Sequence, residues 1–350
     1  MVDEGKLNQF VDRILNDLGG AFSIPLVRIG DKLRLYETLH ERGPMTACEL
    51  SDAAHIAERY AREWLCHQTA SGYLEYDPSS HKFTLPPEQA MVFADTDSPV
   101  YLQGAFDLAA AMMENQALLE PAFKSGEGVG WADQASCLFC TAGRFFRPSY
   151  QSSLVRSWLP ALEGVTAKLE HGARVADIGC GYGFSTILMA KAFRKSTFVG
   201  YDFHPDSIEK ARAHAKRHQV VNASFEVASA TDFPGKDLDL VTFFDCLHDM
   251  GDPSGAGRHV LQALKADGTW MIVEPAAGDR VEDNINPVSR LFYAASTMIC
   301  VPTSLDQPVG AALGAQAGFA RISSAIREVG FVNVRKATET PFNMVLEARP

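Results

Sequence analysis

Residues 174–184, RVADIGCGYGF, constrain this chain more than any other stretch. A β-prone run at 174–178 enters three glycines at alternate positions, Gly179, Gly181 and Gly183, and a helix-like pattern, STILMAKAF, follows. Strand, tight turn and helix in that order aim the free N–H groups of a helix N-terminus at the turn. Glycines there permit positive φ and a close approach of a ligand to the main chain. A dinucleotide pyrophosphate fingerprint wants G-x-G-x-x-G. Here G-x-G-x-G follows an acid, Asp177, which repels a pyrophosphate and suits a ligand with a cationic amino-acid end. The next run, TFVGYDF at 197–203, alternates as a strand does and reaches Asp202, followed by Phe203. That acid lies about twenty residues past the glycines, where a carboxylate accepts from both ribose hydroxyls of a nucleoside.

Strands and helices then alternate regularly. PDSIEKARAHAKRH is an amphipathic helix, ASFEVAS a strand, DLDLVTFFDCLHDM a strand with a polar end, SGAGRHVLQALKADG a helix stopped by Gly268, and TWMIVEP a strand. Elements of this length in alternation make a doubly wound parallel sheet. The helix ISSAIREVG and two closely spaced strands, FVNVRKA and FNMVLEA, add an antiparallel pair at its edge.

The glycine turn resembles motif I of the class I S-adenosylmethionine-dependent methyltransferases, and the hairpin finish resembles their seven-stranded sheet, a Rossmann-like α/β fold whose last strand is antiparallel. The segment FFDCLHDMGDP is similar to the LHDW-SD segment of small-molecule O-methyltransferases. The resemblance puts His248 on the family's general base, with Asp249 beside it, and Glu274 on the glutamate that orients it. The family's second orienting glutamate has no match around 314–320. For the cofactor the resemblance implies Asp177, Gly179, Gly181, Gly183, Asp202 and Phe203, then Ser229, Ala230 and Thr231 at the adenine, and Phe244 and Asp245 toward the sulfonium. Upstream, Arg144, Phe145, Phe146, Arg147 and Tyr150 fall where such enzymes close over the cofactor's amino-acid end. No metal is implied.

The N-terminal part, 1–95, reads as a winged helix. GKLNQFVDRILNDL and SIPLVRIGDKLRLYETLHERG are helical, two short helices follow at 46–54 and 58–71, and GYLEYD and KFTLP make a hairpin. A winged helix invites a DNA-binding reading, so its charge has to be counted. Residues 1–95 hold nine Lys and Arg against fifteen Asp and Glu, and the whole chain has a formal charge of -11. Phosphate contacts supply most of the affinity of a DNA reader, so this surface suits a dimerisation module better. Nucleic acid and anionic membrane are disfavoured as partners on the same ground.

Residues 96–172 read as a helical connector that contributes to a pocket, and 173–350 as the cofactor domain, with an insertion at 276–318 that covers the acceptor. Trp131, Arg147, Phe292 and Met298 are the expected pocket residues, with Arg290, Tyr293 and Cys300 also available to the roof. The length of 350 residues suits two domains. No apolar run near twenty residues and no secretion signal is seen, so the chain is expected in the cytoplasm. Seven cysteines, an odd and scattered number, fit a reducing compartment. Cys137 and Cys140 read as small apolar residues on one helical face, since no second pair stands at zinc spacing.

The whole pattern resembles a group of bacterial two-domain methyltransferases once taken for transcriptional regulators. It implies methyl transfer from S-adenosylmethionine, with S-adenosylhomocysteine as product, to a small molecule in a homodimer. A hydroxyl acceptor needs its proton removed, which suits His248. A thioether, thiol or amine acceptor does not, and a cofactor-sensing DNA-binding regulator is the third reading.

Overall fold

The computed structural model describes residues 1–135 and 138–350, with the backbone alone at 139 and 140. The CxxC pair of Cys137 and Cys140 therefore lies outside the described residues. The chain forms two compact units, residues 1–111 with 144–148, and residues 112–143 with 149–350. The stretch 96–172, set apart by sequence as a connector, is divided between them.

In the first unit, helix α1 (Glu4–Lys32) starts at Asp3, whose carboxylate accepts from the Lys6 N–H. The sequence reading breaks this helix near Gly19 and Gly20, but it runs on as one 29-residue element. Interior glycines cost about 1 kcal/mol each without removing a ladder donor. The break comes at Arg34, with φ 55°, before α2 (Leu35–Arg42). Helix α3 (Ala47–Ala54) opens on a capping box of Thr46 and Glu49, and α4 (Glu58–Ala70) follows. The wing pairs β1 (Glu75–Asp77) with β2 (Lys82–Thr84), and Asp77 ties their turn by accepting from Ser79 and Ser80. Tyr36, Leu39, Leu50, Trp64, Leu65 and Phe93 form the core.

The Arg144 guanidinium belongs to this unit. It forks onto both carboxylate oxygens of Asp31, at 2.7 and 2.8 Å, and onto Asp107 at 2.6 Å. That commitment corrects its expected part in closing over a cofactor, because a bidentate pair fixes the fork in place. One stripe of α1 remains unburied, with Leu7, Val11, Ile14, Leu18 and Phe22 exposed at spacings of three and four.

In the second unit seven strands lie in the order β5-β4-β3-β6-β7-β9-β8. They are β3 (Arg174–Ile178), β4 (Thr197–Asp202), β5 (Ala223–Val227), β6 (Leu238–Phe244), β7 (Leu264–Pro275), β8 (Asn333–Glu339) and β9 (Asn343–Arg349). Strand β9 runs antiparallel between β7 and β8, and the others pair in parallel. The chain order reverses between β3 and β6, which makes the carboxyl ends of those two strands the switch point where ligands bind. Every residue of β6 is buried, as expected of a central strand covered on both faces. Phe243, Trp270, Ile272 and Leu346 are among the core residues around it.

The helix after β6 ends sooner than its sequence suggests. It covers Pro253–Ala263, and β7 begins at Leu264, well before Gly268. Leu264 already pairs with Leu238, and Lys265 reaches Asp239 at 2.6 Å, so sheet pairing overrides helix propensity there. Among the described residues no helix is long and apolar enough to cross a membrane.

Candidate active site

Strand β3 delivers the chain into the glycine turn, where Gly179, Gly181 and Gly183 all have positive φ, at 68°, 51° and 76°. A Cβ on Gly179 would lie 2.8 Å from Cys246 Sγ, and one on Gly183 would lie 2.6 Å from the Phe225 ring, whereas one on Gly181 would meet nothing within 4 Å. The turn is closed below and open at its middle. Asp177 corrects its sequence reading as a carboxylate turned toward the ligand. It is 1% exposed, and it accepts from Ser185 and Thr186 at the start of the next helix and from Thr242 on β6. Burial pushes it up to about 6 despite those three hydroxyl donors. Its work is to hold strand, turn and helix together.

Asp202, at the end of β4, faces the turn. One oxygen accepts from the Gly181 N–H and the other from the His204 N–H, each at 2.9 Å. Each oxygen keeps a second lone pair. Burial raises the pKa, and the two N–H donors oppose that rise. Phe203 follows with 56% of its surface exposed. On the far side of β4 the hydroxyls of Ser229 and Thr231 are 3.0 Å apart and exposed, with Ala230 half-buried between them.

Across the switch point, β6 ends at Phe244, which is buried against the Tyr150 ring with centroids 5.3 Å apart. Asp245, at φ 50°, accepts from the Tyr150 hydroxyl and from Asn343 Nδ2, both at 2.9 Å. Burial first, and then the charge of Glu274, push this carboxyl up to about 8. Tyr150, Asp245 and Phe244 thus anchor the strand end.

A short turn, Leu247–Asp249, carries His248, which is 3% exposed. Glu274, 1% exposed near the end of β7, spends one oxygen on the Leu247 N–H at 2.9 Å and the other on His248 Nδ1. On the opposite side His248 Nε2 stands 3.0 Å from Asp249 Oδ1. Burial alone would lower the imidazole pKa, but the carboxylates of Asp249 and Glu274 outweigh it and hold it well above 6.5.

The insertion grips this loop by its main chain. Gln307 accepts from the Gly251 N–H and donates to the Asp249 carbonyl, both at 3.0 Å, and Ser304 donates to the Met250 carbonyl at 2.8 Å. The Gly314 N–H donates to the His248 carbonyl at 3.2 Å. The segment carrying Trp131 rests on the same insertion, since the Val129 N–H donates to the Pro302 carbonyl and Gln134 donates to Thr303. Phe292 is buried, and Met298 is half-buried in the π-helical turn Ser296–Cys300, whose final thiol comes near His248. Arg147 is exposed and belongs to the first unit. Gln307, Asn343 and Thr242 escaped the sequence reading, because a lone amide or hydroxyl carries no spacing signal. Ser185 and Thr186 had one, as hydroxyls opening a helix behind an acid.

Residues 169–310 match the family of methyltransferase domains, and residues 21–94 match the Rv2258c-like winged helix-turn-helix domains. An uncharacterised methyltransferase of Bacillus subtilis is 28% identical over 130 residues, which cover 36% of this chain and 51% of that protein. The chain thus spans about half the length of that curated relative, and less of the next ones. Human N-acetylserotonin methyltransferase, solved with S-adenosylmethionine, superposes with a TM-score of 0.70 at 16% identity over 97% of both chains. An O-methyltransferase family protein from Burkholderia thailandensis superposes with a TM-score of 0.66 at 18% identity, covering 100% of this chain and 98% of that one.

Proposed function

We propose that this chain, which carries a methyltransferase domain behind a winged helix-turn-helix domain, transfers a methyl group from S-adenosylmethionine to a hydroxyl of a small molecule, with His248 as general base. The observation that carries this reading is the buried His248, held through Nδ1 by Glu274 one strand away from the glycine turn.

The residues present fit the cofactor. The turn at Gly181 leaves main chain uncovered, Asp202 keeps lone pairs for the ribose hydroxyls, and exposed Phe203 with Ala230 offers apolar surface to an adenine. When bound, S-adenosylmethionine supplies an electrophilic methyl carbon on a sulfonium. The chain's own part is to bring the acceptor oxygen into line with that carbon and to take its proton. His248 Nε2 takes it, and Glu274 on Nδ1 fixes the tautomer and steadies the imidazolium. The two flanking carboxylates favour the imidazolium, so the neutral form that takes the hydroxyl proton gains population as pH rises. Tyr150, Asp245 and Asn343 keep the strand end from shifting, while the insertion with Trp131, Phe292 and Met298 walls the acceptor pocket.

The stripe on α1 supports a homodimer, and the acidic winged helix supports a role other than reading DNA. A cytoplasmic location belongs to the same reading. The test is transfer of labelled methyl to a panel of small phenols, carboxylates, thiols and amines. With a hydroxyl acceptor, His248→Ala should bind S-adenosylhomocysteine within about twofold of wild type in calorimetry and turn over at least about a hundredfold more slowly. Undiminished turnover would move the assignment to an acceptor that needs no base.

A further inference from the structure

His248, Asp249 and Cys300 bring a ring nitrogen, a carboxylate oxygen and a sulfur within 4.8 Å of one another. The nitrogen is Nε2, because Nδ1 is taken by Glu274. Three features set this cluster apart from ordinary buried hydrogen bonding. Asp249 Oδ1 is buried with the imidazole as its ion-pair partner, 3.0 Å from Nε2, so a cation entering the cluster would take the place of the proton that lies between them. Cys300 is buried and ends a π-helical turn, a rare geometry concentrated at functional sites. Finally, the carboxylate of Glu274 on the far nitrogen is the arrangement that orients a metal-bound imidazole and raises its basicity.

The donor set selects the metal. A thiolate sulfur excludes magnesium and calcium, which take oxygen ligands, and imidazole with thiolate and carboxylate suits zinc. We propose that His248 Nε2, Asp249 and Cys300 Sγ form a zinc site with its fourth position open to a small ligand. On binding, the Cys300 proton leaves to solvent as the zinc–sulfur bond forms. Zinc then holds the lone pair that the methyl-transfer reading assigns to the hydroxyl proton. That consequence, inhibition by zinc, rests on the proposed function; the binding itself does not. The spacing rules applied to the sequence see no such site, since Cys300 reaches the loop only through the insertion.

The test uses the full chain after chelator treatment, titrated with cobalt(II) as probe. One equivalent should produce a thiolate-to-cobalt charge-transfer band in the near ultraviolet, and zinc should displace it. In Cys300→Ser the band disappears, and zinc affinity, measured by competition with a chromophoric chelator, falls at least about tenfold, as it should also in Asp249→Asn. Far-ultraviolet circular dichroism reports the fold of each variant. A wild-type protein without the band, or Cys300→Ser with the band and zinc affinity of wild type, overturns the proposal. None of these readouts needs methyl transfer, so failure here leaves the proposed function standing, and loss of activity in His248→Ala leaves the cobalt result to stand alone.

Discussion

Glu274→Gln is the substitution whose outcome follows most directly from geometry. The carboxylate accepts twice, from the Leu247 N–H and from His248 Nδ1, and it is 1% exposed. Glutamine has the same shape but offers one oxygen and one NH2 group. Whichever way the amide is turned, its NH2 faces either the Leu247 N–H, which is then left buried without an acceptor, or Nδ1, which can accept from it only if the ring proton moves to Nε2 and the tautomer needed for base work is lost. The cost of such a group is about 1–3 kcal/mol, and loss of the charge-assisted bond to the imidazole adds to it. A total near 3 kcal/mol lowers Tm by roughly 6–12 °C for a unit of this size. For methyl transfer, the imidazolium formed as the hydroxyl loses its proton is no longer faced by a negative charge. A loss of about 1.5–3 kcal/mol at that stage slows kcat by about one to two orders of magnitude, with S-adenosylhomocysteine affinity held. Calorimetric melting and labelled-methyl turnover measure the two effects separately. A variant that melts within a degree of wild type and turns over at its rate would refute the reading of Glu274 as the group that holds His248.

Three further outcomes are expected. In the folded chain Asp177 keeps its proton up to about 6, against 3.8 for the free group. Between those values the native state binds more protons, so this group contributes about 2–3 kcal/mol of added stability as pH falls from 7 toward 4, and the pH slope of urea unfolding should be shallower in Asp177→Asn than in wild type. Gly179→Ala forces a side chain into left-handed backbone, at about 1–2 kcal/mol, and against Cys246 Sγ at 2.8 Å. Calorimetry should show cofactor affinity reduced about tenfold or more, with only part of it restored by adding Cys246→Ala. Ile14→Glu combined with Leu18→Glu places charges on the open stripe of α1, and light scattering should then report half the wild-type mass; a wild-type monomer would remove the dimer.

The parts of this molecule that were legible in the sequence are those governed by local rules. Alternate glycines between a strand and a helix specify a turn wherever they occur, and a strand whose every residue is buried announces itself as an apolar run, as 238–244 does. His248 and Glu274 were legible through a segment resemblance, and their contact followed from the neighbouring strands that carry them. What stayed hidden depends on which segments meet. Asp177 looks in sequence like a ligand-facing acid, and only the return of Thr242 on β6 beside Ser185 and Thr186 shows that its charge is spent internally. Arg144 reads as part of an aromatic, basic cluster, while its true partners are Asp31 and Asp107, far away along the chain. Gly268 looks like a helix stop, and pairing of Leu264 with Leu238 decides the matter earlier.

On the proposed function, the insertion ties acceptor choice to chemistry. Its Gln307, Ser304 and Gly314 hold the main chain of 248–251 at successive residues, and the segment bearing Trp131 leans on the same helix through Pro302 and Thr303. Gly251 has to be glycine for this, because a Cβ there would lie 2.5 Å from the Gln307 side chain and 2.6 Å from the Pro308 carbonyl. The insertion and the backbone that carries His248 are therefore one hydrogen-bonded body. A change of side chain on the inner face of the insertion can alter which acceptor fits while His248 stays in place. A change that moves the insertion's backbone moves His248 as well, and a displacement of about 1 Å at a reacting group is enough to cost on the order of a hundredfold in rate. On that reading, specificity is free to vary by side chain and is held fast in backbone.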